Sequence, residues 1–142
     1  MTDDEVRIQE LSLQGFGCSQ ILALLALQAT GEENPALVRA VSGLHGGLGF
    51  TGKLCGALAG GCCVLALRGG GRGTAGEMED GRLQPMIRTL VEWFEAEYGA
   101  RYGGIDCATI TGSDPRSRLV RCPEIVSAVH AKVQELLGSC LP

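Results

Sequence analysis

A chain of 142 residues that is 45% hydrophobic and 20% charged fits a single domain, residues 1–142, with a buried core, and excludes disorder as its resting state. Its net charge of −4, with twelve basic residues scattered rather than striped, provides no field for a phosphate backbone, so no nucleic acid is expected as a partner. The longest apolar run, Ile21 to Leu27, is too short to span a bilayer, and the acidic start Met1-Thr2-Asp3-Asp4-Glu5 lacks the build of a secretory signal; no membrane insertion and a cytoplasmic location are expected.

Apolar spacing is helical almost throughout, with little alternation to suggest strands, and predicts a compact all-α bundle of about five to six helices with glycine-rich connections. Thr2 and Glu5 form a capping box for a first helix from about Asp3 to Gln14, stopped at Gly15. A second starts around Cys18-Ser19 and runs to about Gly31, apolar on most sides and therefore central. Asn34-Pro35 supplies a cap and a first-turn proline for a third, carrying Leu37, Val38, Val41 and Leu44 and closed by His45-Gly46-Gly47. A fourth spans about Lys53 to Leu67, followed by the surface loop Gly69-Gly70-Gly71-Arg72-Gly73. The fifth, about Gln84 to Tyr98, turns Ile87, Leu90, Val91, Phe94 and Tyr98 inward and is expected to end at Gly99. A short turn after Asp106-Cys107 and a last helix from Pro123 to Leu137, with Ile125, Val126, Val129, Val133 and Leu136 inward, complete the set.

The stretch Gly47-Leu48-Gly49-Phe50-Thr51-Gly52-Lys53 matches the dinucleotide pattern G-x-G-x-x-G and nearly matches a phosphate loop. Leu54 stands where the phosphate loop needs a hydroxyl, and a helix precedes where both motifs need a strand, so the stretch reads as a connection. The string Cys55-Gly56-Ala57-Leu58-Ala59-Gly60-Gly61 is more specific. Each helix-interior glycine costs about 1 kcal/mol relative to alanine, so three within six residues imply close approach, either of another backbone or of a bulky inorganic group.

Seven cysteines in a chain expected in a reducing compartment point to metal binding, catalysis or burial rather than to a disulfide framework. Cys18, Cys55, Cys107 and Cys122 each stand where the sequence opens a helix, Cys122 through the following Pro123. Helix N-termini offer unpaired N–H groups and partial positive charge, which lower a thiol's pKa and favour an anionic centre built on it. Cys62 and Cys63 read as packing residues, with Cys62 on the same helix face as Cys55 and a candidate fifth sulfur; Cys140 reads as exposed and incidental.

The order Cys18, Cys55-Gly56-Ala57-Leu58-Ala59-Gly60, Cys107, Cys122 resembles the redox-active family named for the pattern C-GCAxxG-C-C, over nearly the whole length. The resemblance implies a bacterial or archaeal helical protein, found with transport or redox functions. A similar module stands at the front of split-Soret cytochrome c, for which an iron–sulfur cluster has been proposed; by analogy Cys18, Cys55, Cys107 and Cys122 become ligands to a cluster used in electron transfer. The spacings of 37, 52 and 15 residues contain no C-x-x-C pair of the kind zinc sites draw on. A [2Fe–2S] centre on four thiolates, with a net charge of about −2, would be stabilised by helix N-termini and by Arg121, although a [4Fe–4S] centre would also accept four cysteines. Thiol–disulfide exchange without a cofactor, and delivery of a soft metal such as copper or zinc to a transporter, are the alternatives. Whether the protein is an enzyme stays open; a redox partner protein is expected, and the apolar second and glycine-striped fourth helices suggest a homodimer. His130 reads as a partly exposed surface residue and His45 as a neighbour of the Cys55 segment rather than a ligand. No Ser/His/Asp set or carboxylate pair supports hydrolysis.

Overall fold

The computed structural model describes residues 2–112 and 114–140, with side chains described as far as residue 138. The expected exposure of Cys140 therefore lies outside the described residues. The described residues form helices and turns and no strand.

Helix α1 (Asp3–Leu13) opens with the expected capping box: the Thr2 hydroxyl accepts the Glu5 N–H at 3.1 Å, and the Glu5 carboxylate accepts the Thr2 N–H at 2.8 Å. Helix α2 (Cys18–Ala29) begins at Gly17, whose N–H donates to Gln20 Oε1 at 3.0 Å. Helix α3 (Pro35–Val41) has proline in its first turn and the Asn34 side chain accepting the Leu37 N–H at 3.1 Å. Helix α4 (Gly56–Gly69) is the fourth expected helix, with Cys55 as its N-cap, three residues later than the spacing suggested.

Helix α5 (Leu83–Phe94) does not stop at Gly99. The chain winds through a wider π-type turn at Glu95–Gly99 and a last helical piece, Ala100–Tyr102, before Gly103 turns it at φ +86°. Gly99 keeps an ordinary helical φ of −59°, so nothing local ends the helix there. Buried Tyr98 sits between Phe94, with ring centroids 4.8 Å apart, and Tyr102, stacked at 6.2 Å. This aromatic row carries the chain past the glycine. Helix α6 (Cys107–Thr111) is short and capped by Asp106, whose carboxylate accepts the Thr109 N–H at 3.0 Å.

The last helix differs most from expectation. Helix α7 (Pro115–Cys140) starts eight residues early and carries Pro123 in its interior, so Cys122 stands inside a helix and not at its start. Asp114-Pro115 and Cys122-Pro123 are both start devices. The upstream one takes effect, with Asp114 Oδ1 accepting the Arg116 N–H at 2.9 Å. Pro123 then leaves the Leu119 carbonyl without its usual helical donor.

The core lies where α4 meets α2, α5 and α7. Leu22, Leu65, Leu90, Phe94, Ile125, Val126 and Val129 are fully buried there, each contributing roughly 1.5–3 kcal/mol. The glycine stripe makes this approach possible. A Cβ on Gly60 would stand 2.9 Å from the Ser19 Cα, and one on Gly61 would stand 2.6 Å from Val129 Cγ1, so α4 is flattened toward both α2 and α7. Ser19, wholly buried at this contact, donates its hydroxyl to the Val41 carbonyl at 2.8 Å, which ties α2 to the end of α3.

Candidate functional site

The fold brings the four cysteines together. Cys18 is the first residue of α2, Cys55 the N-cap of α4, Cys107 the first residue of α6, and Cys122 lies in α7. All four line one small cavity of about 20 Å³, completed by Gly56, Ala57, Ile110, Thr111 and Ile125. Three of them, Cys18, Cys107 and Cys122, also line a wider cavity of about 270 Å³ that opens to solvent. Cys55 is the buried corner, 9% exposed.

Glycine makes the room. A Cβ on Gly56 would lie 2.5 Å from Cys18 Sγ, so the CGAxxG glycine next to Cys55 is where the Cys18 sulfur rests. The stretch of Gly46 to Phe50 performs a similar service for Cys107. Its five residues all have positive φ, between +62° and +74°, a run of left-handed turn in which Leu48 and Phe50 are the two that are not glycine. Gly47 within it packs so closely on Cys107 that its Cβ would lie 2.8 Å from that of the cysteine. Two residues beyond the turn, the Gly52 carbonyl accepts the Ala108 N–H at 3.1 Å. The apparent nucleotide motif is thus the cradle that seats the start of α6.

The electrostatics reverse one expectation. Helix starts led us to expect depressed thiol pKa values, yet burial pushes the Cys18 thiol up to about 12, with Cys55, Cys122 and Cys107 adding to the rise. Burial likewise raises Cys55, and takes Cys122 up to about 11, helped by Cys55 and Cys107 and opposed by Arg118. The helix-start donors are present, since the Ser19 N–H favours the Cys18 thiolate and the Ala57 and Leu58 N–H groups favour that of Cys55. Loss of water outweighs them, so the Cys18, Cys55 and Cys122 thiols keep their protons at neutral pH in the ligand-free protein.

Arg121, expected to lend charge to the site, instead donates to the Ile110 carbonyl at 2.6 Å and stacks on Tyr102, 4.7 Å from the ring centroid. It pins α6 to α7. The cation facing the thiols is Arg118, one helical turn before Cys122, which lies 5.4 Å from the Phe50 ring centroid. Sequence reasoning missed it because Arg118 joins Cys122 on one helix face only if the helix begins before Pro123. His45 sits against Gly17 and edge-on to Phe50, with Nδ1 4.0 Å from Cys18 Sγ, at the long limit of a hydrogen bond involving sulfur. Burial and Arg118 lower its pKa, keeping the imidazole neutral.

Cys62 and Cys63 are half-buried and face other surroundings. The Cys62 thiol, raised to about 11 chiefly by burial, interacts with Cys63 and does not line the four-cysteine cavity. His130 pairs with Asp4 at 3.4 Å, far from this chemistry.

Residues 16–136 match the family model described as "Putative redox-active protein (C_GCAxxG_C_C)". The chain belongs to this family. The C_GCAxxG_C_C match takes in all four cysteines of the cavity and both glycine devices that make space for them. Comparison with curated proteins and with solved structures returns no match, so nothing there bears on the likeness to the split-Soret module. No helix among the described residues is long and apolar enough to cross a membrane.

The donor set suits a soft metal centre in its chemistry: four sulfurs, apolar walls and backbone N–H groups aimed at sulfur. Among the described residues no group of three or more is drawn tightly enough to hold a single metal ion. Zinc would require all four sulfurs at about 2.3 Å from one point. A sulfide-bridged cluster holds its cysteines farther apart than a single ion does.

Proposed function

We propose that Cys18, Cys55, Cys107 and Cys122 bind an iron–sulfur cluster, of the [2Fe–2S] type, and that this C_GCAxxG_C_C protein serves as a cytoplasmic electron carrier for a redox partner protein. The observation that carries this reading is the convergence of four thiols from four separate helices on one small apolar cavity. One buried and three half-buried cysteines gathered at one place are not needed for packing alone, when any small apolar residue would fill the same space. When bound, the cluster would supply one-electron chemistry at the sulfurs.

The chain's own residues do the rest. Each thiol surrenders its proton on loading. The Ser19, Ala57 and Leu58 N–H groups then face a thiolate, and Arg118 offsets the charge left on Cys122. Ile110 and Ile125 exclude water on the inner side, while the wider cavity leaves Cys18, Cys107 and Cys122 near solvent, where electrons can be exchanged.

Anaerobic purification, or reconstitution of the metal-free chain, tests the proposal. Iron and acid-labile sulfide in equal amounts, with a visible absorbance lost in each of the four Cys→Ser variants, are expected. The openness of the wider cavity on Cys18, Cys107 and Cys122 favours a second reading, thiol–disulfide exchange with an incoming thiol. Colourless protein without iron or sulfide, with disulfides among the four, would replace the first reading by the second.

A further inference from the structure

The wider cavity has a chemistry of its own. Its walls are apolar, built by Ile8, Phe16, Ile21 and Val126, and its floor is the three thiols of Cys18, Cys107 and Cys122. At about 270 Å³ it lies just below the usual range for small-molecule sites, about 300–1,000 Å³, and suits only a small ligand. No aspartate or glutamate lines it, although acidic residues outnumber basic ones, 16 to 12, in the chain as a whole.

Its one fixed charge is Arg118. Among the described residues no carboxylate lies within 4.0 Å of this guanidinium, although Asp114 lines a neighbouring cavity with it; Arg7, Arg68, Arg82, Arg101 and Arg116 each have an acidic partner within that distance, and Arg39, Arg72, Arg88 and Arg121, like Arg118, have none. Arg118 is half-buried and held over the Phe50 ring, so its position is set without an anion to hold it. Phe50 adopts a left-handed backbone, φ +62°, that a bulky residue rarely tolerates, and it is 64% exposed, so burial of its own surface does not repay that strain. Supporting Arg118 and the edge of His45 is what the ring does there.

We infer that this cavity is a binding site for a small molecule with an apolar body and a single carboxylate, the body lying between Ile8, Ile21 and Val126 and the carboxylate on Arg118 at the mouth. A guanidinium in a partly dry, acid-free site gains most from a planar anion that it can grip with two N–H groups. The carboxylate on Arg118 lies one helical turn from Cys122, toward the solvent end of the cavity. The inference does not rest on the cluster and holds for the metal-free chain as well.

The full-length protein, metal-free and as purified, is titrated with 2-naphthoate and with uncharged 2-naphthamide, using calorimetry for affinity and methyl NMR for location. Saturable one-site binding of 2-naphthoate, at least tenfold tighter than the amide, is expected, with shifts at the Ile8, Ile21 and Val126 methyls. Arg118→Gln should lower the naphthoate affinity to that of the amide and leave the amide unchanged; Arg118→Lys should keep most of the preference. Circular dichroism checks that both variants are folded. Equal affinity for the two probes, absence of saturation, shifts instead at Leu24, Leu27 and Val38 in the groove between α2 and α3, or a preference that survives Arg118→Gln would each overturn the inference. Iron and sulfide content, measured separately, reports on the cluster alone.

Discussion

The sulfur of Cys18 rests on the bare Cα of Gly56, where a methyl group would come within 2.5 Å of it. Two residues 38 positions apart are thereby locked in one geometry. Gly56→Ala gains helix propensity of up to about 1 kcal/mol yet forces the thiol aside, at an overpacking cost of about 1–3 kcal/mol. We expect a net loss of stability in denaturant melts and reduced iron loading. Much of the lost stability should return in the double variant Gly56→Ala, Cys18→Ala. Failure of the second change to compensate would show that the clash is elsewhere, for instance with the Leu44 carbonyl.

Gly60→Ala should behave differently. Its neighbour is the Ser19 backbone, 2.9 Å from the added Cβ, and a backbone cannot turn away as a thiol can. Helices α2 and α4 must separate, for about 1–3 kcal/mol, with no double-variant rescue by Cys18→Ala. Comparing the two series by urea unfolding separates the glycine that serves a sulfur from the one that serves packing.

Strain in the cradle is measurable too. Leu48 holds φ +74° and is 41% exposed, so Leu48→Gly removes a left-handed cost of about 1–2 kcal/mol against the loss of a side chain whose surface is more than half buried. A small rise in stability, below about 1 kcal/mol, is expected. A fall would mean that the Leu48 side chain contributes more than its exposure implies.

The acid limb of the stability curve should contain Asp80. Its carboxylate accepts the Arg82 N–H at 2.8 Å and pairs with the guanidinium at 2.8 Å, which holds its pKa near 2, below an ordinary value of 3.8. Because the folded value is the lower one, this contribution is present above about pH 4 and is lost as pH falls through about 2. Asp80→Asn should therefore flatten the stability profile between those values and leave its alkaline side unchanged. An identical acid limb in the variant would remove Asp80 from the account.

The extra cysteines provide the last comparison. Cys62→Ala and Cys63→Ala should retain the iron and sulfide of the unmodified chain, since neither thiol reaches the four-cysteine cavity. Cys122→Ser should lose them despite its place inside a helix. Loss in Cys62→Ala equal to that in Cys122→Ser would require redrawing the ligand set.

Helical class, the capping box at Thr2, the proline start at Asn34-Pro35, the helix starts at Cys18, Cys55 and Cys107, and the need for close approach at Gly56 and Gly60 were all legible in the residues. Each is a local matter of periodicity, hydrogen-bonding side chains or backbone freedom, and membership of the C_GCAxxG_C_C family follows from the same short strings. Tertiary structure alone decided the rest. Two proline devices competed for the start of the last helix, and only packing of α7 on α1, α4 and α6 decides for Pro115, which puts Arg118 and not Arg121 beside the thiols. The proton affinity of the sulfurs was likewise beyond local reading. Helix starts pull it down within one turn, whereas the larger opposing effect is the removal of water by residues from every other helix.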